Sequence, residues 1–524
     1  MILNRQSSLR QHLRPGYVLI AVLIVIVVLS LAAYRYADMA TAEYRATDRI
    51  LLSTQSKSLA DSGIHYAGAL VSDPAAMTGT LAGNPFDNSG LFRGKAVELG
   101  NGRRGYFDVV SVDYSQDPGG GSLPLKYGVT DESGRINLNA LLQIDSSGTV
   151  ALNMLKKLPN MTDDIANSII DWIDTNEDVR SGGAETSYYE ALGTPYRCKN
   201  GPLDSVEELL LVKGVTPELL FGNDLNRNGK LDGDEPTSGG YTPGWAPYLT
   251  VFSRERNVDS TGAPRVNING RNLRTIYGQL KEIVSPELAA YIVAYRYLSA
   301  PTATAKVTPG TSEGLVQVVE KAVSSGQNMK SQRNISSIYQ LFGTSVASTV
   351  TTESKGGGKG QPMSTSTTTA FSFPIKDPES AAEQLGLLLD KTTIVSDTEL
   401  SARINVMTAS PAVLAALPGL EQADVDGIIA ARPAPGTSDP EDPTYQTSAW
   451  MYTEAKVPAA KMQALDRYVT GRTQVYRIQA VGYFEREGPI ARIEAVVDAN
   501  NGKPRFVYYR DLTELGRAID PRQQ

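Results

Sequence analysis

An uncharged apolar run near the N-terminus constrains the fold of this chain more than any other feature. Residues 15–34 carry no charged side chain and include the core VLIAVLIVIVVLSLAA. As a helix these residues span about 30 Å, the thickness of the hydrocarbon core of a bilayer. Three arginines and no acidic residue precede the run. Because cytoplasmic flanks are enriched in Lys and Arg, the sequence predicts a single membrane span with the bulk of the chain outside the cytoplasm.

A cleaved secretory signal is the alternative to a permanent anchor, with a small-residue cleavage site at 40–42. The apolar run is long for a signal core, and charged residues separate it from that site. Beyond the run, alanines, leucines and paired charges continue without a proline until Pro74, a composition that favours helix. We therefore expect one helix over 17–72, roughly 80 Å long, with its transmembrane part at 17–34.

The scarce residue types argue against several classes of enzyme. The chain has one cysteine, Cys198, and two histidines, His12 and His65. One cysteine excludes an intrachain disulfide and a thiolate zinc cluster, and few histidines remain for a Ser-His or Cys-His mechanism. A net charge of −7 gives no general reason to expect nucleic-acid binding. We expect a non-enzymatic structural or binding protein, with a membrane-anchored extracytoplasmic enzyme that uses carboxylates as the less favoured alternative.

Strand patterns occur near both ends of the remaining chain and helical patterns lie between them. Alternating valines, aromatic and polar residues predict strands at 105–115, 473–485, 490–499 and 503–511. The sequence therefore predicts an α+β fold, in which a long N-terminal helix and a small antiparallel sheet are interrupted by a large, mostly α-helical insertion. The expected parts are a first sheet segment at 73–130, the insertion at 131–472 and a second sheet segment at 473–524.

The insertion contains a threefold pattern that predicts repeated helix-hairpin-like units. Three segments begin with a basic residue, a β-branched residue and an asparagine, followed by helix-like runs. We expect the three asparagines to cap a helix or to tie a loop; they are Asn137, Asn267 and Asn405. The corresponding units are predicted near 131–222, 264–342 and 400–470.

Two further segments of the insertion are interpreted as structural. Residues 343–370 are rich in Ser, Thr and Gly and lack apolar periodicity, so we expect a flexible linker. Residues 417–433 resemble a helix-hairpin-helix, a motif that often grips DNA phosphates. Its acidic residues, Glu421, Asp424 and Asp426, would repel phosphate, which favours simple packing and no nucleic-acid partner.

The segment DLNRNGKLDGDE, residues 224–235, matches the calcium-loop pattern D-x-[DN]-x-[DN]-G-x5-E at every specified position. Calcium takes six to eight hard oxygen ligands, which this spacing supplies from one loop. Pro236 follows at once and argues against a full exiting helix, so we expect a rigidifying role; a solvated acidic loop without metal is the alternative. The predicted ligands are Asp224, Asn226, Asn228, Lys230 through its carbonyl, Asp232 and Glu235.

A second segment, DTNEDVRSGGAE at 174–185, shows weaker calcium-loop spacing. Val179 stands where the loop pattern has glycine, so the turn must differ. The carboxylate and amide positions still match loop positions one, three, five and twelve, which predicts a second calcium site. Its predicted ligands are Asp174, Asn176, Asp178 and Glu185.

The N-terminus resembles the type IV pilin-like proteins. A basic leader that ends in RPGY is followed by an apolar half-helix and an amphipathic half-helix. The resemblance implies a leader at 1–16, cleavage by prepilin peptidase after Gly16, and N-methylation of Tyr17. Where most members of this family have a glutamate, this chain has Ala21.

Three stretches in order across about 128–215 resemble the K-type minor pseudopilins of type II secretion, the general secretion pathway. They are GVTDESGRINLNALL, SIIDWIDTNEDVRSGGAETSYY and TPYRCKNGPLDSVEELLLVKGV. That family also lacks the glutamate, so Ala21 fits it. The resemblance implies a pilin-like helix and sheet interrupted by a large calcium-binding α-domain. The chain departs from the family in its extra material at about 236–400.

The resemblance further implies a place and partners. K-type subunits start or cap the tip of a periplasmic pseudopilus, anchored in the bacterial inner membrane, with I- and J-type minor pseudopilins beside them and the major pseudopilin below. The bulk of this chain would lie in the periplasm. A minor pilin of a type IV pilus or of a DNA-uptake system remains an alternative, because it would use the same leader chemistry.

Cleavage between Gly16 and Tyr17 can be tested directly. We expect the mature protein to begin at Tyr17, and removal of the leader to change the net charge from −7 to −10, because the leader holds three arginines and no acid. Intact mass determination of the protein from a host with prepilin peptidase checks this. A mature N-terminus at Met1 or Glu43 would contradict the prediction.

Overall fold

The structure is a computed structural model, which describes most of the chain. Residues 1–14 lie outside the described residues. The residues that the structure describes are 15–100, 103–114, 122–236, 240–301, 307–325, 329–354, 363–434, 436–485, 488–500, 502–515 and 522.

The N-terminal part is one continuous helix, α1, which runs from Pro15 to Ser72. Within the described residues, it is the helix that is long and apolar enough to cross a membrane, with a mean hydropathy of 2.9 over its most apolar 18 residues. The side chains of 17–34 are exposed, whereas the last turns of the helix are packed against protein. The absence of proline between Pro15 and Pro74 allows the helix to continue through both halves.

The remaining helices are short and lie almost entirely in the middle of the chain. They are α2 (Ser89–Phe92), α3 (Leu138–Ile144), α4 (Thr149–Leu155), α5 (Asp163–Ile173), α6 (Thr186–Glu190), α7 (Pro217–Phe221), α8 (Leu273–Lys281), α9 (Pro286–Tyr297), α10 (Ser312–Ser324), α11 (Pro378–Ala381), α12 (Leu385–Lys391), α13 (Pro411–Ala416), α14 (Gln422–Ala431), α15 (Ala449–Thr453) and α16 (Ala459–Leu465). Single π or 3-10 turns occur at Ala76–Thr80, Val206–Leu211, Ile338–Leu341 and Thr513–Leu515.

The strands fall into one larger sheet and several small pairings. They are β1 (Lys95–Glu98), β2 (Arg104–Val112), β3 (Leu125–Lys126), β4 (Thr130–Asp131), β5 (Ile136–Asn137), β6 (Leu249–Thr250), β7 (Glu255–Arg256), β8 (Val266–Asn267), β9 (Val307–Pro309), β10 (Ser345–Ser354), β11 (Met363–Ser372), β12 (Thr392–Thr393), β13 (Glu399–Leu400), β14 (Ile404–Asn405), β15 (Val469–Thr470), β16 (Val475–Phe484), β17 (Ala491–Asp498) and β18 (Arg505–Asp511).

The larger sheet is antiparallel and joins both ends of the chain. Its order is β1-β2-β16-β17-β18, with β3 beside β2 and β4 beside β16. The central pair aligns Gln479 with Val110 and Phe484 with Gly105. The helical region between β4 and β16 is thus inserted between neighbouring strands of one sheet, and the predicted α+β class is confirmed.

Helix α1 packs on one face of this sheet through a stripe of small and apolar side chains. Ala60, Ile64, Ala67 and Val71 are buried and recur at helical spacing. Gly482 of β16 lets the helix approach closely, since a Cβ there would lie 2.1 Å from the carbonyl oxygen of Ser56. Alternate residues of a strand point to opposite faces, so Val481 and Tyr483 point away from the helix and pack with Val110.

The insertion has its own apolar core, a single cluster of buried side chains whose first and last members in the sequence are Ile136 and Val469. Each of the three asparagines ends a two-residue strand, namely β5, β8 and β14. In each case the Oδ1 atom accepts a hydrogen bond from the amide two residues later, at 2.9, 2.9 and 3.0 Å. Asn137 also caps α3. These side chains therefore close local turns.

The segment 343–370, expected to be a flexible linker, differs from that expectation. Strands β10 and β11 form an antiparallel hairpin, and β11 also pairs with β9. Residues 355–362, between the strands, lie outside the described residues. Thr and Val have branched Cβ atoms that favour extended backbone, and this local preference prevails although the segment offers little apolar surface to bury.

The contact of α1 with Gly482 can be tested by adding one methyl group. We expect Gly482→Ala to destabilise the protein by about 1–3 kcal/mol, because the Cβ would also lie 2.5 Å from the amide of Ala60. Thermal unfolding of the detergent-solubilised full chain measures this. Gly278→Ala in α8 is the matched control, since nothing lies within 4 Å of its Cβ. Equal melting temperatures for both variants would contradict the packing.

Candidate metal centres

The loop 224–235 follows α7 and folds so that its oxygen-bearing side chains converge. The Asp224 carboxylate, which begins the loop, accepts hydrogen bonds from the amides of Asn228 at 3.0 Å and Gly229 at 2.7 Å. The hydroxyl of Tyr241 donates to the same carboxylate at 3.2 Å. Gly229 has a φ of +81° and Arg227 a φ of +58°, so the chain turns sharply at the position where the pattern requires glycine.

The other end of the loop closes on the same centre. The Glu235 carboxylate accepts hydrogen bonds from the amides of Asn226 at 3.0 Å and Asp232 at 2.9 Å. The side-chain amides of Asn226 and Asn228 both donate to Asp232 at 2.9 Å. The structure thus brings five of the predicted ligand side chains together. The side chain of the sixth residue, Lys230, is exposed, and its amide donates to Asn228 at 2.8 Å.

The chemistry of this loop fits a hard cation. Asp224, Asn226, Asn228 and Glu235 are buried, and the Oδ1 atom of Asn226 is buried without a hydrogen-bond partner. Burial raises the pKa of Asp224, against the opposing effect of its backbone hydrogen bonds. A buried oxygen without a donor, beside two buried carboxylates, is an environment that a cation with oxygen ligands would satisfy.

The second predicted loop forms a different cluster from the one that the spacing predicts. Ligand atoms of Asp171, Asp174 and Glu185 all lie within 4.8 Å of one another, and the three side chains are buried. Asn176 and Asp178 are exposed. The structure therefore brings together two of the four predicted residues and adds Asp171.

Four carboxylate oxygens of this cluster are buried without a hydrogen-bond partner. Both carboxylate oxygens of Glu185 are buried without a hydrogen bond, as are one oxygen of Asp171 and one of Asp174. Arg180 lies 3.5 Å from Asp171 and 3.8 Å from Asp174. One guanidinium against three buried acids leaves negative charge in excess, which a divalent cation would balance.

The carboxyl pKa values reflect the same excess. Burial raises the pKa of Asp171 to about 6 and that of Glu185 to about 7. The charges of Asp171 and Asp174 contribute to the raised pKa of Glu185. The donor set therefore favours either a proton or a cation at this position.

The position of Asp171 in the sequence could have indicated its place in the cluster, although the calcium-loop spacing does not include it. It lies three residues before Asp174 at the end of α5 (Asp163–Ile173), so both carboxylates share one helix face. Gly183 allows the returning chain to reach it, since a Cβ there would lie 2.0 Å from a carboxylate oxygen of Asp171. The amide of Ala184 then donates to that oxygen at 3.0 Å.

Comparisons with known proteins found a family match and a structural similarity. Residues 134–221 match the sequence model of the family described as type II secretion system (T2SS), protein K. A chain of the crystal structure of the GspK-GspI-GspJ complex from the type 2 secretion system of enterotoxigenic Escherichia coli is similar at 10% identity, with a TM-score of 0.34. That similarity covers 90% of this chain and 99% of the other. No curated protein sequence matches the chain. The family match confirms the resemblance to the K-type minor pseudopilins.

The cluster around Glu185 predicts opposite effects of one substitution in two buffers. With EGTA, we expect Glu185→Gln to raise the melting temperature of the full chain, because it removes a buried charge and supplies donors to the neighbouring acids. With calcium, we expect it to lower the melting temperature, because a ligand is lost. Each shift should correspond to a change of roughly 1–3 kcal/mol in the free energy of unfolding, the range for an unsatisfied buried group.

Glu190→Gln is the matched control for this prediction. Glu190 is exposed and lies 3.4 Å from Arg197, so its substitution should leave both melting temperatures unchanged. If Glu185→Gln shifted the melting temperature in the same direction in both buffers, the cluster would not be a cation site.

Proposed function

We propose that this chain is a K-type minor pseudopilin of type II secretion that starts or caps the tip of the periplasmic pseudopilus. The match of residues 134–221 to protein K of that system carries the proposal. The long helix α1, with a sheet at its C-terminal half, supplies the architecture that a pilin-like subunit needs. The subunit would act by assembly with other subunits and not by catalysis.

The apolar half of α1 would anchor the subunit in the inner membrane before assembly. Its side chains from 17 to 34 are exposed and uncharged, as lipid contact requires. The last turns of the helix are held against the sheet by the stripe that ends at Val71. Prepilin peptidase would free Tyr17 as the first residue, and the globular part would lie in the periplasm.

A place at the tip agrees with two features of this chain. Ala21 cannot neutralise the N-terminal amine of another subunit, as a glutamate at that position could. A subunit with nothing above it does not need this charge. The insertion, which extends over some 340 residues between β4 and β16, would also hinder the addition of a further subunit above it.

We also propose that three related units build the insertion, near 131–222, 264–342 and 400–470. Two shared features support these units. Each unit has the asparagine turn, and the short strand that ends at the asparagine pairs in parallel with a later strand. Strand β5 pairs with β6, β8 with β12, and β14 with β15, all of them parallel. Strands β6 and β12 lie beyond the expected ends of the first two units. The expected division into sheet segments at 73–130 and 473–524 stays part of this proposal.

We propose calcium as the cation of both centres. In the loop 224–235 it would be held by Asp224, Asn226, Asn228, Asp232 and Glu235, with Lys230 through its carbonyl. In the other centre, Asp171, Asp174 and Glu185 would hold it, with Asn176 and Asp178 at the exposed rim. Calcium would neutralise the buried carboxylates and hold each loop in one conformation.

Chelation and one substitution test the calcium sites. We expect EGTA to lower the melting temperature of the full chain, because a ligand that binds the folded state stabilises it. We expect Glu235→Ala to remove one of two binding events in a calorimetric calcium titration. Asp234→Ala is the control, since Asp234 is the exposed neighbouring acid. An unchanged melting temperature in EGTA would remove calcium from the proposal.

Co-expression tests the assembly role. We expect the chain to co-purify with the I- and J-type minor pseudopilins of its own organism, and deletion of its gene to abolish secretion through that system. A full chain supplied in trans should restore secretion. Normal secretion after deletion, together with loss of twitching or of DNA uptake, would instead assign the chain to a type IV pilus or uptake system.

A further inference from the structure

Arg492 is a charged side chain buried completely inside the protein. It lies on β17 and is 0% exposed. Its guanidinium donates to the main-chain carbonyl of Asn226 through Nη2, and to that of Arg227 through Nη1 at 3.1 Å. These carbonyls belong to the third and fourth positions of the loop 224–235. Among the described residues Arg492 forms no salt bridge, and its guanidinium binds the backbone of the loop instead.

This contact holds the part of the loop that has an unusual backbone. Arg227 has a φ of +58°, a conformation that L-residues rarely adopt without support. With the two carbonyls turned out towards Arg492, the amides of Asn226, Asn228 and Gly229 point inward to the carboxylates at the two ends of the loop. The outward contact and the convergence of ligands are therefore parts of one arrangement.

Two further contacts join the loop to the sheet. The amide of Leu123 donates to the carbonyl of Gly229 at 2.7 Å. The guanidinium of Arg227 lies 3.0 Å from Glu207, which in turn lies 2.8 Å from Arg510 on the edge strand β18. The loop is thus connected to β17 directly and to β18 through one acid of the insertion.

We infer that Arg492 is the positioning residue of the cation site in the loop 224–235. It holds the loop in the form whose ligands converge, so that cation binding and the docking of the insertion on the sheet are coupled. By linkage, the factor by which docking strengthens cation binding equals the factor by which the cation strengthens docking. This inference rests on the proposed calcium site and assigns to it a mechanical role at the junction.

The sign of one measurement separates positioning from simple charge effects. A positive charge beside a cation site opposes cation binding, so electrostatics alone predicts that Arg492→Met raises the calcium affinity. Positioning predicts that the affinity falls. Arg492→Lys keeps the charge but loses the planar fork that reaches two carbonyls, so positioning predicts a loss there as well.

The experiment is a calorimetric calcium titration of the full chain in detergent. We expect Arg492→Met and Arg492→Lys each to weaken binding at the loop 224–235 by about 10–100-fold, the range for residues that orient metal ligands. Binding at the Asp171 cluster should not change. Arg505→Met is the matched control, because Arg505 donates to Asp498 and not to the loop. An unchanged or higher affinity in Arg492→Met would overturn the inference.

Hydrogen–deuterium exchange supplies a second readout that does not require calcium. In EGTA, we expect the amides of Asn226, Asn228 and Gly229 to exchange faster in both Arg492 variants than in the parent. With calcium, strand Ala491–Asp498 should exchange more slowly in the parent but not in Glu235→Ala. A parent chain that binds no calcium would overturn the proposed metal site. Unchanged loop exchange in EGTA would overturn the role of Arg492 itself.

Discussion

The pairing of β2 with β16 is the constraint on which the rest of this structure depends. It brings together segments far apart in the chain, as in the hydrogen bond from Tyr483 to Asp108 across 375 positions. Closing so long a loop costs conformational entropy. The apolar face buried under α1 offsets part of that cost, and the insertion contributes its own core. Both ends of the insertion are therefore held at one sheet.

Buried charges define how the insertion meets the sheet. Burial by itself would raise the pKa of Glu132, but Arg477 and Arg135 outweigh it and lower that pKa to about 2. Burial raises the pKa of the neighbouring Asp131 to about 6, although Thr408 and other donors oppose it. Asp131 accepts hydrogen bonds from Asn405 and Thr408 of the insertion and from Thr473 beside β16. Glu132 contacts Thr250 of the insertion and Arg477 of β16. Removing the partners of either acid would leave a buried charge uncompensated, which would strongly destabilise the folded protein.

Local patterns predicted some parts of the site and could not predict others. The calcium-loop spacing predicted which side chains of 224–235 converge, because all of them lie within one short loop. Asp171 was missed because it precedes its loop on a helix and reaches the cluster only when the chain returns at Gly183. The hairpin of β10 and β11 was missed because composition suggested a linker, whereas β-branched residues favoured extended strands.

The sequence by itself determined the long helix, the strand segments, the order of the helical region and the resemblance to the K-type family, because each depends on short-range periodicity or on local motifs. The tertiary structure alone decided which strands become neighbours, which acids share a centre and where Arg492 points. The strand pairing and the Arg492 contacts join residues that are hundreds of positions apart, and the acids meet only when the chain returns at Gly183, so no local pattern predicts these contacts. The role of Arg492 depends on the contact between β17 and the loop 224–235, because a buried charge is stabilised only by the polar groups that folding places around it.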